Sequence, residues 1–463
     1  MKLLFYNWTP LKANAGGGVA VYQKNLLKYL LKLKKHELFF LSSGFGYTGN
    51  VHKVNLVKIY NDISDDLKTF EVINSPVIAP VQQSIKNVRH YLEDEAIAAL
   101  IKQFIKDFGG FDVIHFNNLE GLSLKTLKLK EDFPNTKFIY SLHNYFPVCT
   151  GVTLWHWQNK AAGNNVEGHR CNKKSYDECN KCYGKINYNA EIFYRKYAKY
   201  KSSRAFSELY SRDFPDEDDT NLYREFEEKN IEYINKYMDN VLAVSQRVKD
   251  IFVSYGMNEE KVQVSYIGTD VADIQKGNNC ADINANPFKM IYMGYMTEDK
   301  GFFFLLKALK AIPEKLSKKI VLTIAARHGD GYKTEIELLN KLKSKFQDII
   351  LLDGYKRDEL KTLLKDQNLG IVPILWEDNL PQIAIEQIAY GVPILCSNLG
   401  GASELHRYNP NFTFEAGNIG EFLQKLENIV NNRKLLKDYW KTVRPLTTMK
   451  EHVEFLEQLY MSK

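Results

Sequence analysis

No run of apolar residues in this 463-residue chain is long enough to cross a bilayer as a helix. Met1 to Tyr6 reads as a short apolar strand and not as a secretory signal. Cytoplasmic residence, with at most peripheral contact to the inner face of a membrane, is the expectation. Charge of one sign is also scarce, since 62 lysines and arginines face 56 aspartates and glutamates for a net charge of +6. That balance suits an anionic substrate or a membrane surface. With the basic residues dispersed among acids, it argues against nucleic acid as a partner. Six cysteines, four of them crowded into one segment, point to reduced thiols or metal ligands more than to a disulfide framework. What remains is ordinary globular composition, 44% hydrophobic and 25% charged. The length exceeds what one core usually holds, so two large domains are expected.

The first half alternates strands and helices. Lys2 to Trp8 is strand-like and Ala15-Gly16-Gly17-Gly18 follows. A helix then carries Val19, Tyr22, Leu26, Leu30 and Leu33 on one side. Bare backbone before a helix start tolerates phosphate, although the spacing fits neither a dinucleotide fingerprint nor a P-loop, and a simple tight turn is the other reading. Further strands are predicted at Glu37 to Leu41, Val57 to Tyr60, Val72 to Asn74, Val113 to Phe116 and Lys137 to Leu142. A helix with Ile97, Ile101, Phe104 and Ile105 on one face stops at Gly109-Gly110. Such alternation means a doubly wound parallel sheet. His143 stands just past a strand, where a neutral imidazole can accept or share the proton of a substrate hydroxyl; a structural role is the alternative.

Between Tyr145 and Gly184 the alternation breaks. Cys179-Asn180-Lys181-Cys182 has the two-residue gap that lets two thiolates reach one tetrahedral ion, and Cys149 and Cys171 can complete it. A structural zinc would tie down an irregular insertion, whereas unligated cysteines or a redox-labile pair are the competing readings. Residues 186–238 read as helical and rich in tyrosine, arginine and lysine, among them Tyr194, Arg195, Tyr197, Tyr200 and Arg204. They make either a helical hairpin packed on the first domain or a basic, aromatic face for an acceptor sugar or an anionic membrane. The acidic run Asp213 to Asp219 reads as an exposed turn between helices.

Strand character resumes at Val241 to Ser245 and Val262 to Tyr266, and the polar stretch Ala272 to Pro287 is the best domain boundary. The second half repeats the alternation, with strands predicted at Lys289 to Met293, Ile320 to Ala326, Ile349 to Leu352, Leu369 to Ile374 and Pro393 to Ser397. Lys300 lies in the first strand-to-helix turn, where it and helix N–H groups can hold a diphosphate. The densest chemistry is Trp376-Glu377-Asp378-Asn379-Leu380-Pro381-Gln382-Ile383-Ala384-Ile385-Glu386. Pro381 suits a first helical turn and Gly391 a helix end, which predicts a helix over Gln382 to Tyr390. Asp378 in the loop and Glu386 on the helix then bracket a ligand at the carboxyl edge of the sheet. Gly400-Gly401 follows the next strand and allows bare backbone to approach a nucleotide or sugar.

These motifs, in this order, resemble glycosyltransferase family 4, retaining enzymes with the GT-B fold. The likeness spans almost the whole chain: Gly16 to Gly18, His143-Asn144, Gly268-Thr269-Asp270, Lys300-Gly301, the acid loop, and Asn398-Leu399-Gly400-Gly401-Ala402-Ser403-Glu404-Leu405. The Cys-rich insertion is similar to that of bacterial members that build capsule, exopolysaccharide or lipopolysaccharide. The resemblance implies an α/β protein with two Rossmann-like doubly wound domains facing across a cleft and closing over the donor. Residues 1–270 form the acceptor side, with an insertion at about 145–238. Residues 271–441 form the donor side, and 442–463 hold a helix, Glu451 to Tyr460, that returns to the first domain. A nucleotide-diphosphate sugar is the implied donor, a glycan or lipid-linked molecule of surface polysaccharide biosynthesis the acceptor, and no cofactor is needed for catalysis.

The same resemblance assigns roles. Glu386 binds the ribose hydroxyls, Asp378 lies near the donor sugar, and His143 contacts that sugar near the reacting carbon. Lys300 contacts the diphosphate, and Gly16, Gly17 and Gly18 make room for it. Amides around Leu380, Pro381 and Gln382 contact sugar or diphosphate, with Asn379 in the same loop and Gly400 and Gly401 behind it. Two departures stand out. The first acid of the pair is usually glutamate, which leaves open whether Glu377 or Asp378 meets the sugar. Tyr295 stands where arginine is common, which shifts diphosphate binding toward Lys300 and another cation, Arg327. A GT-B epimerase or hydrolase of nucleotide sugars, and a zinc-containing binding module without turnover, are the alternatives.

Overall fold

Two parallel sheets organise the computed structural model, which describes residues 1–11, 17–46, 53–77, 79, 85–159, 167–171, 176–179, 182, 220–277 and 282–462. Gly16, the stretch from Tyr194 to Arg204 and the acidic run Asp213 to Asp219 lie outside the described residues. The chain divides into two compact units. One comprises Met1–Trp157, Cys171–Ile267 and Met449–Lys463; the other comprises Gln158–Arg170 and Gly268–Thr448.

The first unit is built on β1 (Lys2–Tyr6), β2 (Glu37–Ser43), β3 (Asn55–Lys58), β4 (Leu67–Ile73), β5 (Val113–Phe116) and β6 (Lys137–Leu142). After a two-stranded sheet of β7 (Trp155–Asn159) and β8 (Glu167–Arg170), the main sheet gains β9 (Asn240–Ala243) and β10 (Val262–Val264). The order across it is β10-β9-β6-β5-β1-β2-β4-β3. Every pair is parallel except β3 with β4. This edge corrects the parallel series expected at Val57 to Tyr60 and Val72 to Asn74. The connection between β3 and β4 is too short for a crossover, so the chain turns back on itself as a hairpin.

Helix α1 (Gly18–Leu33) buries Tyr22, Leu26, Leu27 and Leu30, each large apolar side chain contributing about 1.5–3 kcal/mol. Its Gly17 N-cap sits at φ 106, where an added Cβ would meet nothing within 4 Å. Backbone conformation, rather than crowding, is what calls for glycine there.

The second unit has β11 (Phe288–Met293), β12 (Ile320–Ala326), β13 (Asp348–Asp353), β14 (Leu369–Val372), β15 (Ile394–Ser397) and β16 (Thr413–Phe414). All are parallel, in the order β13-β12-β11-β14-β15-β16. The order reverses between β11 and β14, and in such sheets the crevice beyond the carboxyl ends of those two strands is where ligands bind. The turn after β11 carries Lys300 and the loop after β14 carries the acids. Helix α2 (Gln382–Ala389) follows that loop and buries Ala384, Ile385 and Ile388.

Helix α3 (Met449–Met461) belongs to the first unit, with Val453, Leu456 and Tyr460 in its core. His452 Nε2 is 2.7 Å from the Tyr22 hydroxyl, and Tyr460 OH is 2.7 Å from His115 Nδ1. Among the described residues no helix is long and apolar enough to cross a membrane.

Candidate functional site

The loop Leu375–Pro381 is held by backbone contacts on both sides. Leu375 N–H donates to Asp299 O at 2.9 Å, and Gly401 N–H donates to Asp378 O at 2.9 Å. A Cβ on Gly301 (φ +74) would lie 2.6 Å from the Pro373 carbonyl carbon, and one on Gly400 (φ +66) 2.7 Å from Asp378 N. Both glycines therefore permit a close approach as well as a left-handed backbone. Ser397 Oγ, buried at the end of β15, donates to Ile374 O at 2.6 Å.

Charge is concentrated on this scaffold. Lys300 Nζ lies 2.6 Å from Asp378 Oδ2 and 4.7 Å from the centre of the Trp376 ring. Burial draws the ammonium toward neutrality, but Asp378 and Asp299 outweigh it, and the lysine pKa rises. It is a fixed cation with a quarter of its side chain exposed. Glu377, 1% exposed, accepts from Gly400 N–H at 3.2 Å and from Arg170 Nη2 at 2.7 Å. Asn379 is buried, and its Nδ2 has no acceptor among the described residues. The Glu386 carboxyl is pushed up to about 7, chiefly by burial; the Arg357 guanidinium opposes the shift and Asp270 adds to it. Arg357 itself pairs with Asp270.

Leu380, Pro381 and Gln382 lead into α2, whose N-cap is Pro381 with no side-chain cap. The first-turn amides are thus not occupied by a capping side chain. The structure brings Lys300, Glu377, Asp378 and Gly400-Gly401 together, with Glu386 on the adjoining helix. Arg327 stands exposed beyond β12, beside Gly354, and the cation whose field reaches Glu386 is Arg357. Two of these cations escaped the sequence reading. Arg357 carried a usable signal, since it follows a strand and Gly354 at the same sheet edge; Arg170 carried none, because it comes from β8 of the separate two-stranded sheet.

In the first unit His143 follows β6. Asn117 Nδ2 donates to Tyr6 O at 3.5 Å, which turns Asn117 Oδ1 toward His143 Nε2 at 3.2 Å. The imidazole then carries its proton on Nε2 and offers Nδ1 as an acceptor. Burial, with His452 adding to it, lowers the His143 pKa to about 3, so the ring is neutral at physiological pH. Its ring packs on Tyr22 at 5.0 Å. Asn144 Nδ2 donates to both oxygens of Glu120, at 2.9 and 3.1 Å, a carboxyl that burial raises to about 8. Asn117 and Glu120 were also missed; Asn117, directly after the apolar strand β5, carried a usable signal, and Glu120, further along the loop, a weaker one.

Cys149, Cys171, Cys179 and Cys182 line one cavity of the first unit, with His156 and Glu178. Among the described residues, no three His, Cys, Asp or Glu side chains already stand in a metal-binding arrangement.

Residues 275–444 match the family model described as glycosyl transferases group 1. An uncharacterised glycosyltransferase of Methanocaldococcus jannaschii is 28% identical over 192 residues, 39% of this chain and 48% of that protein. The lipopolysaccharide 1,2-N-acetylglucosaminetransferase of Salmonella typhimurium is 30% identical over 120 residues, 25% of this chain and 31% of that protein. The chain thus spans about half the length, or less, of these curated relatives. Anabaena HepE in complex with UDP and glucose superposes with a TM-score of 0.55 over the whole of both chains, at 14% identity. The lipopolysaccharide outer core galactosyltransferase WaaB superposes at 0.56 over 99% of this chain and all of that one, at 12% identity. Two Rossmann-like units with these neighbours define the GT-B fold.

Proposed function

We propose that the chain transfers a sugar from a nucleotide-diphosphate donor to a glycan or lipid-linked acceptor of a surface polysaccharide, with retention at the anomeric carbon. The observation that carries this reading is the acid loop at the switch point of the second sheet. A charged lysine, two buried acids and a buried amide donor converge there, inside the segment that matches group 1 glycosyl transferases.

On binding, Lys300 exchanges Asp378 for diphosphate oxygens and frees the Asp378 carboxylate for a sugar hydroxyl. Glu386 accepts from the ribose hydroxyls, Asn379 Nδ2 donates to the ligand, and Arg170 and Arg357 add positive potential. Fixed charge of this kind favours the departing diphosphate more than the bound donor. The leaving group takes the acceptor proton on the face where attack occurs, and His143 contacts the sugar as a neutral imidazole. UDP heads the donor panel, because the similar fold of Anabaena HepE is seen with UDP.

Purified protein incubated with UDP-, GDP- and ADP-sugars and a set of lipid-linked and glycan acceptors should release nucleoside diphosphate only when an acceptor is present. NMR of the product should show the donor's anomeric configuration. Lys300→Ala should weaken donor binding about 10- to 100-fold, the value of a hydrogen bond to a charged group. Release without acceptor would mean a hydrolase or epimerase, and binding without turnover a binding module; either result overturns the transferase reading.

A further inference from the structure

We propose that Cys149, Cys171, Cys179 and Cys182 form a structural zinc site that ties the inserted segment to the first unit. The proposal is independent of the donor site. Its basis is convergence: four of the chain's six cysteines, from three separate stretches, line one cavity whose other walls include Val148, Leu154, Trp155 and Phe226. All four are partly buried thiols. A set of soft sulfur donors against an apolar wall suits a tetrahedral zinc ion, and oxygen-seeking magnesium or calcium fits it poorly.

The backbone around the cavity is already knitted. Cys171 N–H donates to Leu154 O at 2.8 Å and Val152 N–H donates to Cys149 O at 2.8 Å. Cys182 Sγ lies 3.8 Å from Trp155 O, and His156 Nε2 is 3.2 Å from Glu178 O. The thiols do not yet form a closed tetrahedron, in keeping with the absence of a metal-ready group among the described residues. Rotation of χ1 between staggered wells redirects a thiol without moving its backbone, and each thiol releases its proton to buffer as the sulfur binds.

The surrounding fold gives such an ion something to do. Between β6 and the helix Thr220–Tyr237 the described elements are short, and the turn out of Cys149 holds Val152 and Leu154 at φ 61 and φ 51. Branched and bulky residues resist that conformation, so a turn that keeps it needs an anchor. A redox pair at Cys179 and Cys182 would account for two of the cysteines and give Cys149 and Cys171 no part in the same cavity.

Protein purified without chelator from zinc-supplemented cells should contain about one zinc ion per chain by elemental mass spectrometry. Cys149→Ser, Cys171→Ser, Cys179→Ser and Cys182→Ser should each lose most of it. Cys396→Ser, at a thiol 3.2 Å from His406 in the second unit, should keep it. A chelator should lower the melting temperature, with recovery on adding zinc and none on adding magnesium. Because a serine variant can fail to fold, wild-type protein stripped and refilled with cobalt provides a second measurement, the thiolate-to-cobalt absorption of a tetrahedral site. Wild-type protein with little zinc and no such absorption, or peptide mapping that finds Cys179 and Cys182 joined in a disulfide, would overturn the proposal.

Discussion

Gly400→Ala is the substitution whose cost can be worked most directly from the structure. At φ +66 an alanine costs about 1–2 kcal/mol for the left-handed backbone alone. Its Cβ would also lie 2.7 Å from Asp378 N and 2.9 Å from Asp378 C, with the carbonyl oxygen closer still. These are backbone atoms, so no rotamer change relieves the clash and the acid loop itself must move. Overpacking adds about 1–3 kcal/mol, for a total of roughly 2–5 kcal/mol. Gly417→Ala is the matched control in the same unit. It has φ +83 and nothing within 4 Å of the new Cβ, which leaves only the conformational part. Urea unfolding of both variants measures the difference, and, on the donor reading proposed above, titration with UDP reads the loop. Gly400→Ala should be the less stable by about 1–3 kcal/mol and should bind UDP more weakly, while Gly417→Ala binds as wild type. Equal destabilisation and unaltered UDP binding in both would refute the idea that backbone contact at Gly400 sets the acid loop.

Three further outcomes concern charge. With the Glu386 carboxyl at about 7 in the folded protein and near its ordinary value when unfolded, the folded state binds the extra proton between those values. The resulting stability is fully present below about pH 4.5 and is lost as pH rises through about 7. Wild type should therefore lose roughly 3 kcal/mol relative to Glu386→Gln over that window, while its nucleotide affinity rises as the carboxylate forms; parallel pH profiles would count against the assignment. His143, held near 3, should add no inflection of its own between pH 5 and 8. Arg170→Ala should lower the melting temperature, since it takes a charged partner from the buried Glu377 carboxylate, and weaken the donor about fivefold through lost positive charge; an unaltered donor KM would remove Arg170 from the site.

Local signals located most elements. The strands expected at Val113 to Phe116, Lys137 to Leu142 and Ile320 to Ala326 have those bounds in the structure. The helix expected from Gln382 to Tyr390 runs Gln382–Ala389. Apolar runs, Pro381 and Gly391 act over a few residues, so one stretch of chain suffices to read them. The antiparallel β3–β4 pair departs from the parallel expectation because β4 begins at Leu67, well before Val72, which leaves a connection too short for a crossover. The two-residue strand β16 is too brief to leave any periodicity.

The sequence by itself therefore determined the alternation of strands and helices, the acid loop, and the cysteines available to a metal. Tertiary structure alone decided that β11 and β14 are neighbours where the sheet order reverses, which puts Lys300 on Asp378, 78 positions away along the chain. It also decided that Arg357 reaches Glu386, that Arg170 meets Glu377, and that four thiols from three stretches share one cavity. Propensity and punctuation act along the backbone, whereas these pairings depend on which strands lie side by side, and that follows from how the whole sheet buries its apolar faces.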